Sequence, residues 1–459
     1  MYYIAIDIGS SYIKSVLFHM DEQRIVEKSK YATPTPIPCE NKRVFEVDAQ
    51  QMLALAQKLI EGYCDRYDSI EGVLFSTQMH GCVYSDPSMG RDTYISWQDS
   101  RCLCLIPGAD ESYLQRLEQL FTQREMQNTG VAIKPSLALC NLYSLLHERN
   151  FQIGPQAGVY TLGSYFIAKL TGHNTCHITN AAPMGLVDLT TGLWRTDMIQ
   201  KAGMGSIAFP KIVQNLDACG VFRYKGAEIP VYPDLGDMQT AVLGCMADAG
   251  DMVVNIATAG QVILLQERFT PGDYEVRPFF DGLYCNVVSR MPAGRNLDVQ
   301  VDYLREAGEK VFGVNISREE VWQRILQDLE LHDPQGLRVD SSFYEMPHKL
   351  ADGSITHINH FNMTISNVFA AMLQDIGRVY KRYIRLLCGS GELQGRLVFS
   401  GGAAWNNPLL VAAIEKEAGL PASLSPMRDE VYAGMFRVAL VTTGRCPTLH
   451  HTKERMLKP

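Results

Sequence analysis

The stretch Tyr2-Tyr3-Ile4-Ala5-Ile6-Asp7-Ile8-Gly9-Ser10-Ser11-Tyr12-Ile13-Lys14-Ser15-Val16-Leu17-Phe18 decides the fold. Two β-rich runs flank a tight Gly-Ser-Ser turn, with Asp7 near the end of the first run and Lys14 in the second. Such a turn directs backbone N–H groups and the Ser10 and Ser11 hydroxyls at an anion, and Gly9 allows a close backbone approach. Lys14 can reach a phosphate as a point charge. Asp7 can hold a hydrated Mg2+, an ion that keeps several waters and touches only one or two carboxylates. Taken alone, the segment reads equally well as an ordinary turn with a solvated aspartate.

Residues 251–265 repeat the pattern: an apolar run, a small-residue turn at Ala257-Thr258-Ala259-Gly260, and a second apolar run. Two such hairpins far apart in the chain predict two similar domains facing one cleft. A third segment, Leu397-Val398-Phe399-Ser400-Gly401-Gly402-Ala403-Ala404-Trp405-Asn406-Asn407-Pro408, reads as a buried strand running into a Gly-Gly turn. Pro408 suits the first position of a following helix. Glycine backbone free of side chains is where a flat base can lie.

With these segments in place, the chain resembles the FGGY carbohydrate kinases of the actin/hexokinase superfamily, from Asp7 to about Gly434. Within them it resembles the sedoheptulose kinases. The residues carrying the likeness are Gln78-Met79-His80-Gly81, Trp97-Gln98-Asp99-Ser100-Arg101-Cys102, Thr179-Asn180-Ala181-Ala182, Gly236-Asp237-Met238-Gln239 and Asn255-Ile256-Ala257-Thr258. The resemblance implies an α/β fold of two ribonuclease H-like domains, with mixed β-sheets flanked by helices and the active site in the interdomain cleft. The boundary is expected near residue 242, giving domains 1–241 and 242–459.

It implies ATP and Mg2+ as cosubstrates of a phosphotransferase acting on a terminal sugar hydroxyl. Asp237 is then the catalytic base, although Asp in a Gly-Asp turn is also a preferred helix cap. Asp7 organises Mg2+, with Gly9, Ser10, Ser11 and Lys14 at the phosphates. Gln78, Met79, His80, Asp99, Asn180 and Asp237 form the sugar shell, and Arg101 either holds Asp99 or forms a surface ion pair. Trp97 is expected in the core or behind the sugar. Thr258, Gly260, Gly294, Gly401, Gly402 and Asn406 form the nucleotide side. The Trp97–Cys102 string and the Gly236–Gln239 turn favour a sedoheptulose-like ketose over xylulose, another ketose or a sugar acid such as gluconate.

Composition agrees. The 459 residues suffice for two domains with substantial cores, and 46% apolar with 20% charged residues is an ordinary globular balance. A net charge of −8 argues against nonspecific nucleic-acid binding. The N-terminus enters a strand without an apolar leader, and no apolar run approaches a membrane span of ~20 residues. Twelve scattered cysteines without a CxxC pair predict free thiols in a reducing cytoplasm. Dimers are common among such kinases, so a homodimer is compatible with the resemblance.

Along the chain, residues 24–30 extend the first meander, followed by a proline-rich loop at 33–38. Residues 48–66 read as an amphipathic helix capped by Asp48. The strand 72–76 delivers Gln78, Met79 and His80 beyond its carboxyl end, where open α/β sheets bind ligands. The strand 94–97 delivers Gln98 and Asp99 to the same edge. Residues 111–150 are expected to be largely helical, interrupted at Lys134-Pro135. Helices are also expected at 159–170, 238–248, 298–312, 317–330 and 362–388, with a core strand at 396–400. Residues 180–200 read as irregular, 331–360 as a loop-like insertion, and the last dozen residues as a loose tail.

Two other classes compete. A sugar sensor that has lost turnover would be expected to lack Asp7 or Asp237, and both are present. A filament-forming or heat-shock-type ATPase would not need the sugar strings at 78–80 and 97–99.

Overall fold

The computed structural model describes residues 1–389, 391 and 394–458. The first hairpin forms as the sequence predicts: β1 (Tyr2–Ile8) runs antiparallel to β2 (Tyr12–His19), which pairs with β3 (Arg24–Ala32). Asp48 caps α1 (Ala49–Cys64), accepting from the backbone N–H groups of Gln50 and Gln51. The next strand, β4 (Ile70–Thr77), lies parallel to β1 and leads into Gln78. With β5 (Gly220–Tyr224), β6 (Ala227–Val231) and β7 (Leu235–Gly236) it completes a seven-stranded sheet, ordered β5-β6-β4-β1-β2-β3 with β7 beside β4.

After α2 (Asp237–Gly244) the arrangement recurs. Strand β8 (Met252–Ile256) is antiparallel to β9 (Gly260–Gln266), at the far edge β10 (Glu275–Pro278) pairs with β11 (Tyr284–Met291), and β11 also pairs with β9. Helix α3 (Gly294–Phe312) and the long α4 (Ile365–Cys388) follow. Then β12 (Leu397–Ser400) enters parallel to β8, with β13 (Ala422–Leu424) outside it. The unit β11-β9-β8-β12 thus copies β3-β2-β1-β4 in order and direction.

Two helices join the halves. Helix α2 packs against α5 (Glu430–Thr442) between the sheets, and one apolar core runs continuously from Tyr3, Phe18 and Leu74 through Val242 and Phe436 to Val253 and Ile263. A Cβ at Gly244 would stand 1.9 Å from Glu430 O, and one at Gly434 1.9 Å from Thr240 O. Only hydrogen fits at this crossing. The division expected at 241/242 falls inside α2.

Several expectations change. Residues 111–150 form three short helices, Tyr113–Leu120, Gln123–Thr129 and Ala138–Leu146, because Ser112–Gln115 and Thr122–Glu125 each close a capping box that restarts the chain. The strand before Gln98 is only Thr93–Ile95. The 331–360 region contains a hairpin, Arg338–Asp340 with Ser354–Thr356. The C-terminal residues are no loose tail. Thr452 is fully buried, and the segment His450–Glu454 is a 3-10 turn that closes over Arg437. Buried Arg437 donates to Thr452 Oγ1 (2.6 Å) and to Leu449 O (2.7 Å). A guanidinium in that position needs those acceptors.

Candidate active site

A cleft of about 1120 Å3 opens between the two sheets, with the first hairpin, the end of β4, the start of α2 and the second hairpin around it. Asp7, Gly9, Ser10 and Lys14 line one side; Gln78, Met79 and His80 follow β4 into it; Ala257, Ala259, Gly260 and Gln261 face them from the other half.

Gly236, not Asp237, is the N-cap of α2. Asp237 is the first helical residue, its Oδ1 accepting from the Met238 N–H at 2.8 Å. Its carboxyl is pushed up to about 6, first by burial and then by the negative charge of Asp7 nearby. Burial raises Asp7 as well, and Lys14, with Nζ 3.7 Å from Asp7 Oδ2, opposes that rise. Ser76 Oγ, Gln78 Oε1 and Tyr94 Oη are buried around this end of the cleft without hydrogen-bond partners. Such atoms call for a polar ligand or ordered water. Trp97 is 40% exposed and lines the cleft, which takes it out of the core, one of its two expected places.

Two expected sugar ligands do not offer their side chains to the cleft. The Asp99 carboxylate has no exposed side-chain surface; Arg101 grips it through Nε and Nη2, and the Phe45 N–H donates to Oδ2 at 2.7 Å. Arg101 is itself buried and pairs with Glu46, so it belongs to the scaffold of the Trp97–Ser100 turn rather than to the surface. Asn180 is likewise buried, its amide donating to Thr77 Oγ1 (3.0 Å) and Asp234 Oδ2 (2.9 Å). Asp234, missed in the sequence, also accepts from Thr161 Oγ1 and the His177 N–H, and burial pushes its carboxyl up to about 7.

In the second half, where the nucleotide side was expected, the second hairpin, the start of α3 and the short helix Gly402–Asn406 converge. A Cβ at Gly294 would lie 3.2 Å from Ala257 O and 4.0 Å from Ala403 Cβ. The Arg295 N–H donates to Thr258 O at 3.2 Å, and its guanidinium lies 4.4 Å from the Tyr344 ring of the 331–360 region. Gly401 has φ +84°, and Gly402 has open space around it. Thr258, Gly402 and Asn406 are exposed at the rim, and Ser11 is exposed at the tip of the first hairpin.

His80 has φ +68° and bonds across the cleft to Arg277 of β10. Arg277 pairs with Glu275 at 2.6 Å, and Glu275 also pairs with Lys134. None of these three was found from the sequence. The available signal was two charged residues, Glu275 and Arg277, on one face of a β run.

The fold is shared with solved sugar kinases. A gluconate kinase from Lactobacillus acidophilus matches with a TM-score of 0.82 at 15% identity, covering 99% of this chain and 92% of that one. A xylulose kinase from Rhodospirillum rubrum matches with a TM-score of 0.83 at 16% identity, covering 98% and 91%. In sequence, the sedoheptulokinase of Mus musculus is 22% identical over 385 residues, 77% of each chain. The model of the FGGY family of carbohydrate kinases, N-terminal domain, matches residues 2–244. The chain belongs to the FGGY family of carbohydrate kinases, and it is a sugar kinase, a phosphotransferase with an alcohol acceptor.

The family brings ATP as phosphoryl donor. Among the described residues no three His, Cys, Asp or Glu side chains converge as a metal cage. Two neighbouring carboxylates, Asp7 and Asp237, suit Mg2+ that arrives with phosphates and retains its waters. Among the described residues no helix is long and apolar enough to cross a membrane.

Proposed function

We propose that this kinase transfers the γ-phosphoryl group of ATP to a terminal hydroxyl of a ketose, with sedoheptulose giving sedoheptulose 7-phosphate as the leading reaction. The observation that carries the reading is Asp237 at the start of α2, lining one cleft together with the Asp7–Lys14 hairpin, its carboxyl raised to about 6. A base near neutrality can take a proton as the nucleophile attacks. The acceptor hydroxyl attacks the γ-phosphorus in line, its proton passes to Asp237, and the bond to the bridging oxygen breaks to release ADP.

Lys14, the Gly9–Ser11 turn and the second hairpin hold the phosphates. Mg2+ held at Asp7 through water would neutralise developing phosphate charge. Gln78 and Met79 meet the sugar, and Asp99 and Asn180 act behind it by fixing the turns that carry the contacts. Gly294, Gly401, Gly402 and Asn406 border the adenosine. The likeness to the mouse sedoheptulokinase over most of both chains supports the ketose reading. Twelve unpaired cysteines favour a reducing, cytoplasmic setting.

The test is coupled ADP release with ATP and Mg2+ across sedoheptulose, xylulose, ribulose, fructose, gluconate and glycerol. Sedoheptulose as the strongest responder is the expected result. A stronger response to gluconate would replace the ketose with a sugar acid.

A further inference from the structure

We propose that Arg277, delivered from the second half of the chain, binds the acceptor sugar, and that His80 is the positioning residue that aims it. The proposal rests on the sugar-kinase reading of the cleft and assigns a donor at its acceptor end.

The argument begins with His80. Arg277 Nη2 lies 3.1 Å from His80 Nε2, and Pro183 O lies 3.2 Å from His80 Nδ1. A guanidinium only donates, so Nε2 must carry the lone pair, and the ring proton sits on Nδ1 and donates to Pro183 O. Both ring nitrogens are therefore committed. Burial and the adjacent cations Arg277 and Lys134 push the imidazolium form well below its ordinary range, consistent with a neutral acceptor. In this arrangement His80 has no hydrogen-bonding atom left for a sugar.

Arg277 does. Its Nη2 serves Glu275 and His80, while Nη1 has only the Met238 sulfur, at 3.3 Å. A thioether is a weak acceptor, so the donors of Nη1 remain under-used. The Arg277 charge is felt at the Asp237 carboxyl, where it opposes the rise caused by burial, and Arg277 lines the same cleft as Asp237 although its side chain is 4% exposed. The strand is anchored to the first half as well: the Val276 N–H donates to Gly130 O at 2.7 Å, and Glu275 pairs with Lys134. Arg277 is thus held by both halves with one arm under-used. A donor-only group reads oxygen lone pairs. It selects acceptors presenting a carbonyl or hydroxyl oxygen beside the reacting hydroxyl and disfavours an ammonium there, as in an amino sugar.

The test uses the full-length enzyme with its best acceptor and the variants R277Q, R277K, H80A, H80Q and H80A/R277Q, each checked for its melting temperature. R277Q is expected to raise the acceptor KM about tenfold or more, in line with loss of a charged hydrogen bond, with the ATP KM within about twofold. R277K keeps the charge beside Glu275, which guards against a folding failure, and should also raise the acceptor KM because it lacks the second arm. H80A should raise it too, H80Q should recover much of the loss by supplying an acceptor to Arg277, and the double variant should be no worse than R277Q. An unchanged acceptor KM in R277Q overturns the proposal, as do H80A and R277Q effects that multiply. Wild-type enzyme that turned over no acceptor would instead sink the substrate reading, and this proposal with it.

Discussion

Lys14 Nζ stands 3.7 Å from Asp7 Oδ2, and the two residues are direct cross-strand partners in the first hairpin. Register alone brings this pair together, since opposed residues of an antiparallel ladder project to the same face. Asp7 is nearly buried, whereas Lys14 is 42% exposed and free to swing toward a phosphate. The pair therefore joins a buried carboxylate to an exposed cation at the mouth of the Gly9–Ser11 turn.

Replacing Asp7 by Asn keeps the shape and removes the charge. Steady-state kinetics should show kcat lowered by about a hundredfold or more, the scale of losing one preorganised electrostatic group, with the acceptor KM within about twofold. A large KM change with normal kcat would move Asp7 to the sugar.

Asp237→Asn should lower turnover by roughly 10^2 to 10^4 while leaving ATP binding intact, as measured by calorimetry. In the wild type, kcat/KM should fall about tenfold per pH unit below about 6, where Asp237 takes up a proton. Stability carries the opposite sign. The folded pKa of about 6 exceeds the ordinary value of 3.8, so the folded state binds this proton more tightly. Its contribution is present below pH 3.8 and is lost as pH rises to about 6. The D237N variant should accordingly be more stable to urea unfolding than wild type at pH 7.5, by up to about 3 kcal/mol, with the gap closing toward pH 4.

Gly401→Ala tests the proposed adenosine turn. At φ +84° a Cβ would lie 2.5 Å from Ile256 O, the last residue of β8. Strain of about 1–3 kcal/mol should appear as a lower melting temperature together with a raised KM for ATP and an unchanged acceptor KM. An ATP KM equal to wild type would separate Gly401 from the nucleotide.

The C-terminal segment should matter for stability rather than chemistry. Thr452→Val removes one acceptor from buried Arg437 and should cost about 1–3 kcal/mol in urea unfolding. Truncation before Thr448 also removes Leu449 O and should cost more, about 3–5 kcal/mol. Wild-type stability in the truncated chain would return the segment to the status of a tail.

What could be read in advance follows a physical division. The hairpin Asp7–Lys14, its echo at Asn255–Gly260, the Asp48 cap and the strand into Gln78 all arise from residues close in sequence, whose alternation and turn chemistry dictate the backbone. The recurrence of those patterns was enough to predict two matching sheets and a cleft between them. Asp99 and Asn180 lay in the right strings but pointed inward: Arg101 and the Phe45 N–H engage both oxygens of the Asp99 carboxylate, and Thr77 with Asp234 take both N–H donors of the Asn180 amide.

The tertiary structure alone decided where distant side chains meet. His80 and Arg277 are 197 residues apart, and neither segment carries a local mark of the other. The burial of Thr452 over Arg437 likewise appears only once α5 is packed between the sheets. Backbone pattern is a short-range property that the sequence by itself determines. The partners of a buried charge are set by packing, because desolvation makes an unpaired group so costly that the fold must supply a partner from wherever the chain returns.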